Sequence, residues 1–275
     1  MSDKKSSRVL INLIGVPSLI GIIILGDDTF QLPIFSFFVL IVLLLGVREV
    51  PVLIDKMDGK LFLPLLMFFI MILQMNRLFP SFLDFKNQDL IVLVTLCAMI
   101  TEIFRKKKTP IINIFSLVFS FTWIGVMLGS LSVLRNLEII GFSITLCLFL
   151  TIWICDTSAF LFGGKFGKKR ILPSVSPNKT WLGTLMGLFF SLIFMNVVCF
   201  YEFLPSSISL LDASFIGLIV GVFGQLGDFS QSLLKREAKI KDSSDMLRGH
   251  GGILDRFDSL IFSAPLTLMY CNYFI

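Results

Sequence analysis

The sequence predicts an all-α, polytopic integral membrane protein of about nine transmembrane helices, N-terminus cytosolic and C-terminus external. Three observations predict it. Of 275 residues, 55% are hydrophobic and 16% charged, where soluble domains carry about 25% charged residues. Apolar runs near the length that crosses a bilayer recur along the chain. Threading those runs in and out of a membrane also sorts the basic residues by side.

The predicted spans are 9–26, 30–47, 61–76, 89–104, 111–133, 139–162, 182–203, 212–232 and 254–274. The third and fourth are short and interrupted by polar residues. The first lacks a small-residue cleavage site after it and runs into Asp27-Asp28, so it reads as a retained span rather than a signal peptide. With the N-terminus in the cytosol, 21 of the 24 Lys and Arg fall on the cytosolic side, leaving only Arg77, Lys86 and Arg135 outside. Shifting the count by one span would scramble that asymmetry. Pro17, Pro33 and Pro64 sit in apolar runs, where membrane helices tolerate proline.

The net charge of +5 does not imply nucleic acid, because the basic residues are distributed by loop and not gathered on one soluble face. The five cysteines lie in or beside apolar runs with no C-x-x-C spacing. They read as small buried hydrophobes, not as a disulfide framework or zinc site. Residues 1–104 form an expected transmembrane scaffold. Residues 105–275 form the expected catalytic region, with cytosolic loops 163–181 and 233–254. The cluster Arg105 to Lys108 between the two reads as an orientation signal that also attracts anionic head groups.

Two cytosolic segments carry chemistry. The first holds Asp156 toward the end of an apolar span, then Gly163-Gly164-Lys165-Phe166-Gly167, the basic run Lys168-Lys169-Arg170, and Ser176-Pro177-Asn178-Lys179-Thr180-Trp181. A carboxylate at such depth marks a functional-site candidate. The glycines are expected to admit a ligand close to the backbone, and the basic and hydroxyl groups suit phosphate oxygens.

The second segment runs from Gly227-Asp228 through Ser232, Lys235, Arg236, Lys241 and Asp242 to His250-Gly251-Gly252, Asp255, Arg256 and Asp258. Asp228 and Asp255 fall near the cytosolic ends of two sequential, antiparallel spans, so the ends can meet. Together they are expected to hold Mg²⁺, which takes one or two carboxylates plus substrate phosphates. Asp255 and Asp258 are three apart and share a helix face.

From Ser232-x2-Lys235-Arg236 through Lys241-Asp242 to His250-Gly251-Gly252-x2-Asp255-Arg256-x-Asp258, the sequence resembles the signature of the phosphatidate cytidylyltransferases, also called CDP-diacylglycerol synthases. Asp156 to Phe160 and Ser176 to Trp181 resemble a second conserved stretch of that family. The resemblance covers about the C-terminal half of the chain. It implies that CTP and phosphatidate give CDP-diacylglycerol and pyrophosphate at a bacterial inner membrane, with the site facing the cytosol. It also implies Mg²⁺, with room for a second cation or a monovalent ion such as K⁺, and a homodimer.

On that reading Asp228 and Asp255 ligate metal, and Asp258 and Asp156 ligate or orient from a second position. Lys235, Arg236, Lys241 and Arg256 grip phosphates, with Asp242 in the same catalytic set. Ser176, Asn178, Lys179, Thr180 and Ser232 contact substrate. His250 orients a phosphate or carboxylate; a structural role is its alternative. The sequence departs from the family at Leu182, where Glu is usual, and at Arg248, where Pro or a small residue is usual.

Two rival readings use the same residues differently. A CTP-dependent polyprenol kinase would phosphorylate a lipid alcohol and release CDP. A secondary transporter would use Asp156 and Asp228 as coupling-ion ligands near the bilayer midplane.

Overall fold

A computed structural model describes residues 15–26, 33–79, 85–244 and 251–275. His250 and Arg248 lie outside the described residues, as do the starts of the first two predicted spans. The rest is helical: α1 (Gly15–Leu25), α2 (Ile34–Val47), α3 (Val50–Asp55), α4 (Leu63–Leu78), α5 (Asn87–Arg105), α6 (Pro110–Arg135), α7 (Gly141–Phe166), α8 (Trp181–Phe200), α9 (Leu210–Glu237) and α10 (Leu254–Phe274). The only pairing outside helices among the described residues is an isolated antiparallel bridge between Arg170 and Thr180. The chain is an all-α polytopic membrane protein.

Among the described residues six helical stretches are long and apolar enough to cross a bilayer: Ile34–Asp55, which joins α2 and α3, and α5 to α9. Helices α1 and α4 are apolar but shorter. Helix α10 has 21 residues and carries Asp255 in its first turn. The second predicted run was expected to end at residue 47. It resumes instead at Val50 after a break at Arg48-Glu49, and Pro51 sits in the first turn of α3, where its missing N–H costs nothing.

Two of the long helices widen into π-helical turns, Phe121–Leu128 in α6 and Ile219–Gly224 in α9. Such turns loosen the backbone ladder and leave carbonyls to be satisfied by side chains. Arg77 donates to the Gly125 and Val126 carbonyls at 3.1 and 3.2 Å. The Gln225 amide donates to the Gly221 carbonyl at 2.6 Å and the Thr184 carbonyl at 3.0 Å. Asp228 therefore follows directly on a widened turn whose geometry a neighbouring amide fixes.

The chain divides into two compact units. One comprises Met1–Ser132 and Leu234–Arg256; the other comprises Val133–Leu233 and Phe257–Ile275. In the second unit α7, α8 and α9 pack through small residues. A methyl group added at Gly183 would meet the Ala159 carbonyl at 2.7 Å, one at Gly187 the Cys155 Sγ at 3.0 Å, and one at Gly217 the Ser191 carbonyl at 3.0 Å. Gly183 and Gly187, like Gly217 and Gly221, repeat at four-residue spacing. This is how membrane helices bring their backbones close where lipid offers no hydrophobic drive.

Candidate active site

In the unit Val133–Leu233 with Phe257–Ile275, a cleft of about 500 Å³ is lined by Asp156, Gly164, Arg170, Asn178, Lys179, Gln225 and Asp228, among others. Its floor is set by local sequence. The Thr180 hydroxyl accepts from the Gly183 amide at 3.1 Å and caps the start of α8. The Trp181 amide donates to the Lys169 carbonyl at 3.0 Å, which folds the intervening loop back on itself. Arg170 then reaches the Asn178 carbonyl at 2.7 Å. Lys179 is thus presented to Asp228, with which it pairs, and lies 4.3 Å from the centre of the Phe229 ring.

Asp156 from α7, Asp228 from α9 and Asp258 from α10 act on one another electrostatically, and Lys179 acts on all three. The α9 and α10 backbones come close enough here that a methyl group on Gly227 would meet the Asp258 carbonyl at 2.5 Å. Ser232 is buried, its hydroxyl 3.4 Å from the second Asp228 oxygen. One lysine facing three carboxyl groups leaves an acidic excess within helices that are otherwise apolar. Such an excess calls for cations or for basic groups brought with a ligand. Among the described residues, no three acidic, His or Cys side chains close into a ready-made metal cage. A cation at Asp156 and Asp228 would instead complete its shell with ligand oxygens, the manner in which Mg²⁺ is commonly held. The donor set fits that ion.

The three glycines of the first loop differ in what stands beside them. Of Gly163, Gly164 and Gly167, only Gly164 faces open space. A methyl group on Gly163 would meet the Thr180 hydroxyl at 2.8 Å and the Gly183 Cα at 3.0 Å, and Gly167 is closed off by the same hydroxyl. A side chain at Gly163 or Gly167 would therefore collide with the start of α8, although all three glycines border the cleft. Thr180 is likewise 2% exposed and committed to its cap, although it borders the cleft. Ser176 belongs to a turn, its amide donating to the Leu172 carbonyl at 2.9 Å and its carbonyl accepting from the Lys179 amide; it does not line the cleft. Leu182 stands at the start of α8 with 36% of its surface exposed.

The remaining predicted residues that are described lie in the other unit. Lys235 is 9% exposed and donates to Asp255 Oδ1 at 2.7 Å. The second Asp255 oxygen accepts from the Ser243 amide at 3.1 Å, the Ser243 hydroxyl at 3.0 Å and the Gly252 amide at 2.9 Å. Protein donors thus occupy both oxygens of a carboxylate that was expected to face a metal. Arg236 donates to the Ile240 carbonyl at 3.2 Å at the end of α9, while Lys241, Asp242 and Arg256 are exposed.

The Gly251-Gly252 pair is explained here as well. Gly251 has a φ of 77°, in the region that favours glycine, and an added methyl group would meet Asp255 Oδ2 at 2.6 Å. At Gly252 it would overlap the Ser243 hydroxyl and the Glu49 carboxylate. This turn lets the backbone pass close to the protein's own carboxylates. Glu49 did not enter the sequence reading. The signal was present, because a carboxylate within the apolar stretch Ile34–Asp55 meets the criterion that singled out Asp156.

Fold and cleft together define a class: a helical membrane protein whose cleft presents both basic and acidic side chains. The sequence narrows it. A sequence model of the cytidylyltransferase family matches residues 6–274, and the chain belongs to that family. It is 45% identical over 126 residues to a phosphatidate cytidylyltransferase of Staphylococcus haemolyticus, covering 46% of this chain and 48% of the relative. It is 46% identical over 127 residues to that of Staphylococcus aureus strain COL, with the same coverage. It is 38% identical over 143 residues to that of Bacillus subtilis, covering 52% of each. The chain thus spans about half the length of the curated relatives it matches.

Proposed function

We propose that the protein transfers a cytidylyl group from CTP to phosphatidate, giving CDP-diacylglycerol and pyrophosphate for phospholipid synthesis. The observation that carries this reading is the cleft in which Asp156 and Asp228 meet Lys179 amid apolar helices, with Asp258 acting on both carboxyl groups electrostatically. Family membership and the names of the relatives support it.

Both substrates are anions that repel each other. An oxygen of the lipid phosphate forms a bond to the α-phosphorus of CTP, the bond from that phosphorus to the bridging oxygen breaks, and pyrophosphate leaves with the electron pair. The nucleophile is already ionised, so no side chain has to remove a proton from it, which suits a chain with a single histidine. Bound Mg²⁺ would neutralise phosphate charge as it develops. Asp228 and Asp156 are the residues that would hold it, with Asp258 orienting them from behind. Asp255 joins as a ligand only by exchanging Lys235 for the ion. Lys179 and Arg170 meet the triphosphate at the cleft, with Asn178 beside them. Lys235, Arg236, Lys241 and Arg256 supply further positive charge for the phosphates, and His250 orients one of them.

The excess of Lys and Arg in alternate loops supports nine spans with the N-terminus and the active site on the cytosolic side of a bacterial inner membrane. The acyl chains then stay in the bilayer while the head group meets CTP at the interface. The test is to supply the purified full chain with phosphatidate, Mg²⁺ and each nucleoside triphosphate in turn. The expected result is a CTP-dependent nucleotidyl lipid, with pyrophosphate released in equal amount. Absence of that lipid product, or release of CDP with phosphorylation of a lipid alcohol, overturns the proposal.

A further inference from the structure

Glu49 is 1% exposed and lies at the break between α2 and α3. Four donors converge on its carboxylate. One oxygen accepts from the Ser244 hydroxyl at 2.8 Å and the Ile253 amide at 2.6 Å. The other accepts from the Ser243 hydroxyl at 2.6 Å and the Leu254 amide at 3.1 Å. Among the described residues no lysine or arginine pairs with it. Its charge rests instead on the first amides of α10, where backbone N–H groups and the helix dipole favour an anion.

The donors come from both ends of one segment. Ser243 and Ser244 lie where the chain leaves α9, and Ile253 and Leu254 lie where it enters α10. The Ser243 hydroxyl also sits 3.0 Å from Asp255 Oδ2. One hydroxyl proton serves one acceptor, so Glu49 and Asp255 share a donor and are held in register by it. The fit is tight on the other side. Gly252 has no room for a side chain against Glu49, and a methyl group on Gly46, one turn before Glu49, would meet Leu254 at 2.9 Å.

We propose that Glu49, from the N-terminal half, is a positioning residue: it clamps both ends of the 243–254 segment and so fixes Asp255 and its partner Lys235. The proposal rests on the cytidylyl-transfer reading for the reaction it serves, but the clamp itself has a separate readout. Each carboxylate oxygen faces one backbone N–H, and a backbone N–H cannot turn round to accept. A glutamine amide would therefore set N–H against N–H in either orientation, whereas aspartate keeps two accepting oxygens on a shorter stem.

The experiment compares the full-length wild type with Glu49→Gln and Glu49→Asp in detergent or nanodiscs. It measures amide exchange over residues 251–256 together with CTP-dependent lipid product. The expected result for Glu49→Gln is faster exchange at Ile253 and Leu254 and at least a tenfold fall in kcat. The KM for CTP should stay within threefold, because none of the four residues that donate to Glu49 lines the cleft. Glu49→Asp should recover part of the loss. If Glu49→Gln fails to fold, Glu49→Asp decides alone: a lowered kcat with an unchanged KM supports the proposal, and wild-type kinetics overturn it. Unchanged exchange, a kcat within twofold of wild type, or a fall in kcat that only follows the loss of folded protein also overturns it. A wild type that makes no CTP-dependent lipid removes the reaction reading, while the exchange data still report on the clamp.

Discussion

Replacing Asp228 by Asn should silence the enzyme without unfolding it, because the ion pair it breaks is embedded in an acidic excess. Lys179 and Asp228 keep 29% and 27% of their side-chain surface exposed, so neither is fully desolvated. Two unit charges about 5 Å apart at an effective dielectric near 20 interact by about 3 kcal/mol. Neutralising Asp228 forfeits about that much attraction to Lys179. It also removes repulsion from Asp156 and Asp258, both of which feel its charge. The two changes oppose each other, so the net change in stability should be smaller than the attraction lost, about 1–2 kcal/mol. For a chain of this size that corresponds to a melting shift of about 5 °C or less. Lys179→Met is the contrast. It deletes the lysine that acts on all three carboxyl groups, close to the uncompensated case that costs about 3–5 kcal/mol. Activity should fall about 10²–10³-fold in Asp228→Asn, the usual cost of losing one preorganised electrostatic group. The assays are thermal unfolding in detergent and CTP-dependent lipid formation on the same preparations. Asp228→Asn turnover within threefold of wild type, or a Lys179→Met protein as stable as Asp228→Asn, would refute the reasoning.

Other substitutions test the packing around the site. Gly163→Ala should lower the melting temperature by an amount corresponding to about 1–3 kcal/mol of overpacking, since its methyl group would meet Thr180 and Gly183, whereas Gly164→Ala should leave it unchanged. Thr180→Val should cost about 1 kcal/mol through loss of the α8 cap while Thr180→Ser keeps it, as thermal unfolding would report. Gly251→Ala should cost about 1–2 kcal/mol from its positive φ alone and lower lipid-product formation, because the methyl group also displaces Asp255; wild-type turnover would show that the turn tolerates a side chain.

Much of the fold was legible because the bilayer imposes a simple rule: apolar runs of sufficient length become helices. A helix occupies the described part of every predicted run, from α1 to α10. The acidic half of the cleft was legible for the same reason, since Asp156 and Asp228 are conspicuous against leucine and phenylalanine. What one chain of letters does not state is which neighbour a small residue admits. Gly163 and Gly167 face Thr180, and Gly251-Gly252 face Asp255 and Glu49, contacts that depend on tertiary approach and not on local pattern. The π turns of α6 and α9 are silent in the sequence because a period of 3.6 residues barely differs from their own over one turn. That Asp255 takes four protein donors from Lys235, Ser243 and Gly252 is likewise a product of folding that the sequence does not state.

The most direct test of the account follows the phosphorus atoms. The purified chain is given phosphatidate, Mg²⁺ and CTP labelled either at the α- or at the γ-phosphorus. Cytidylyl transfer predicts that the α label appears in the lipid and the γ label in pyrophosphate. A γ label in the lipid, or no label in the lipid from either nucleotide, would contradict it.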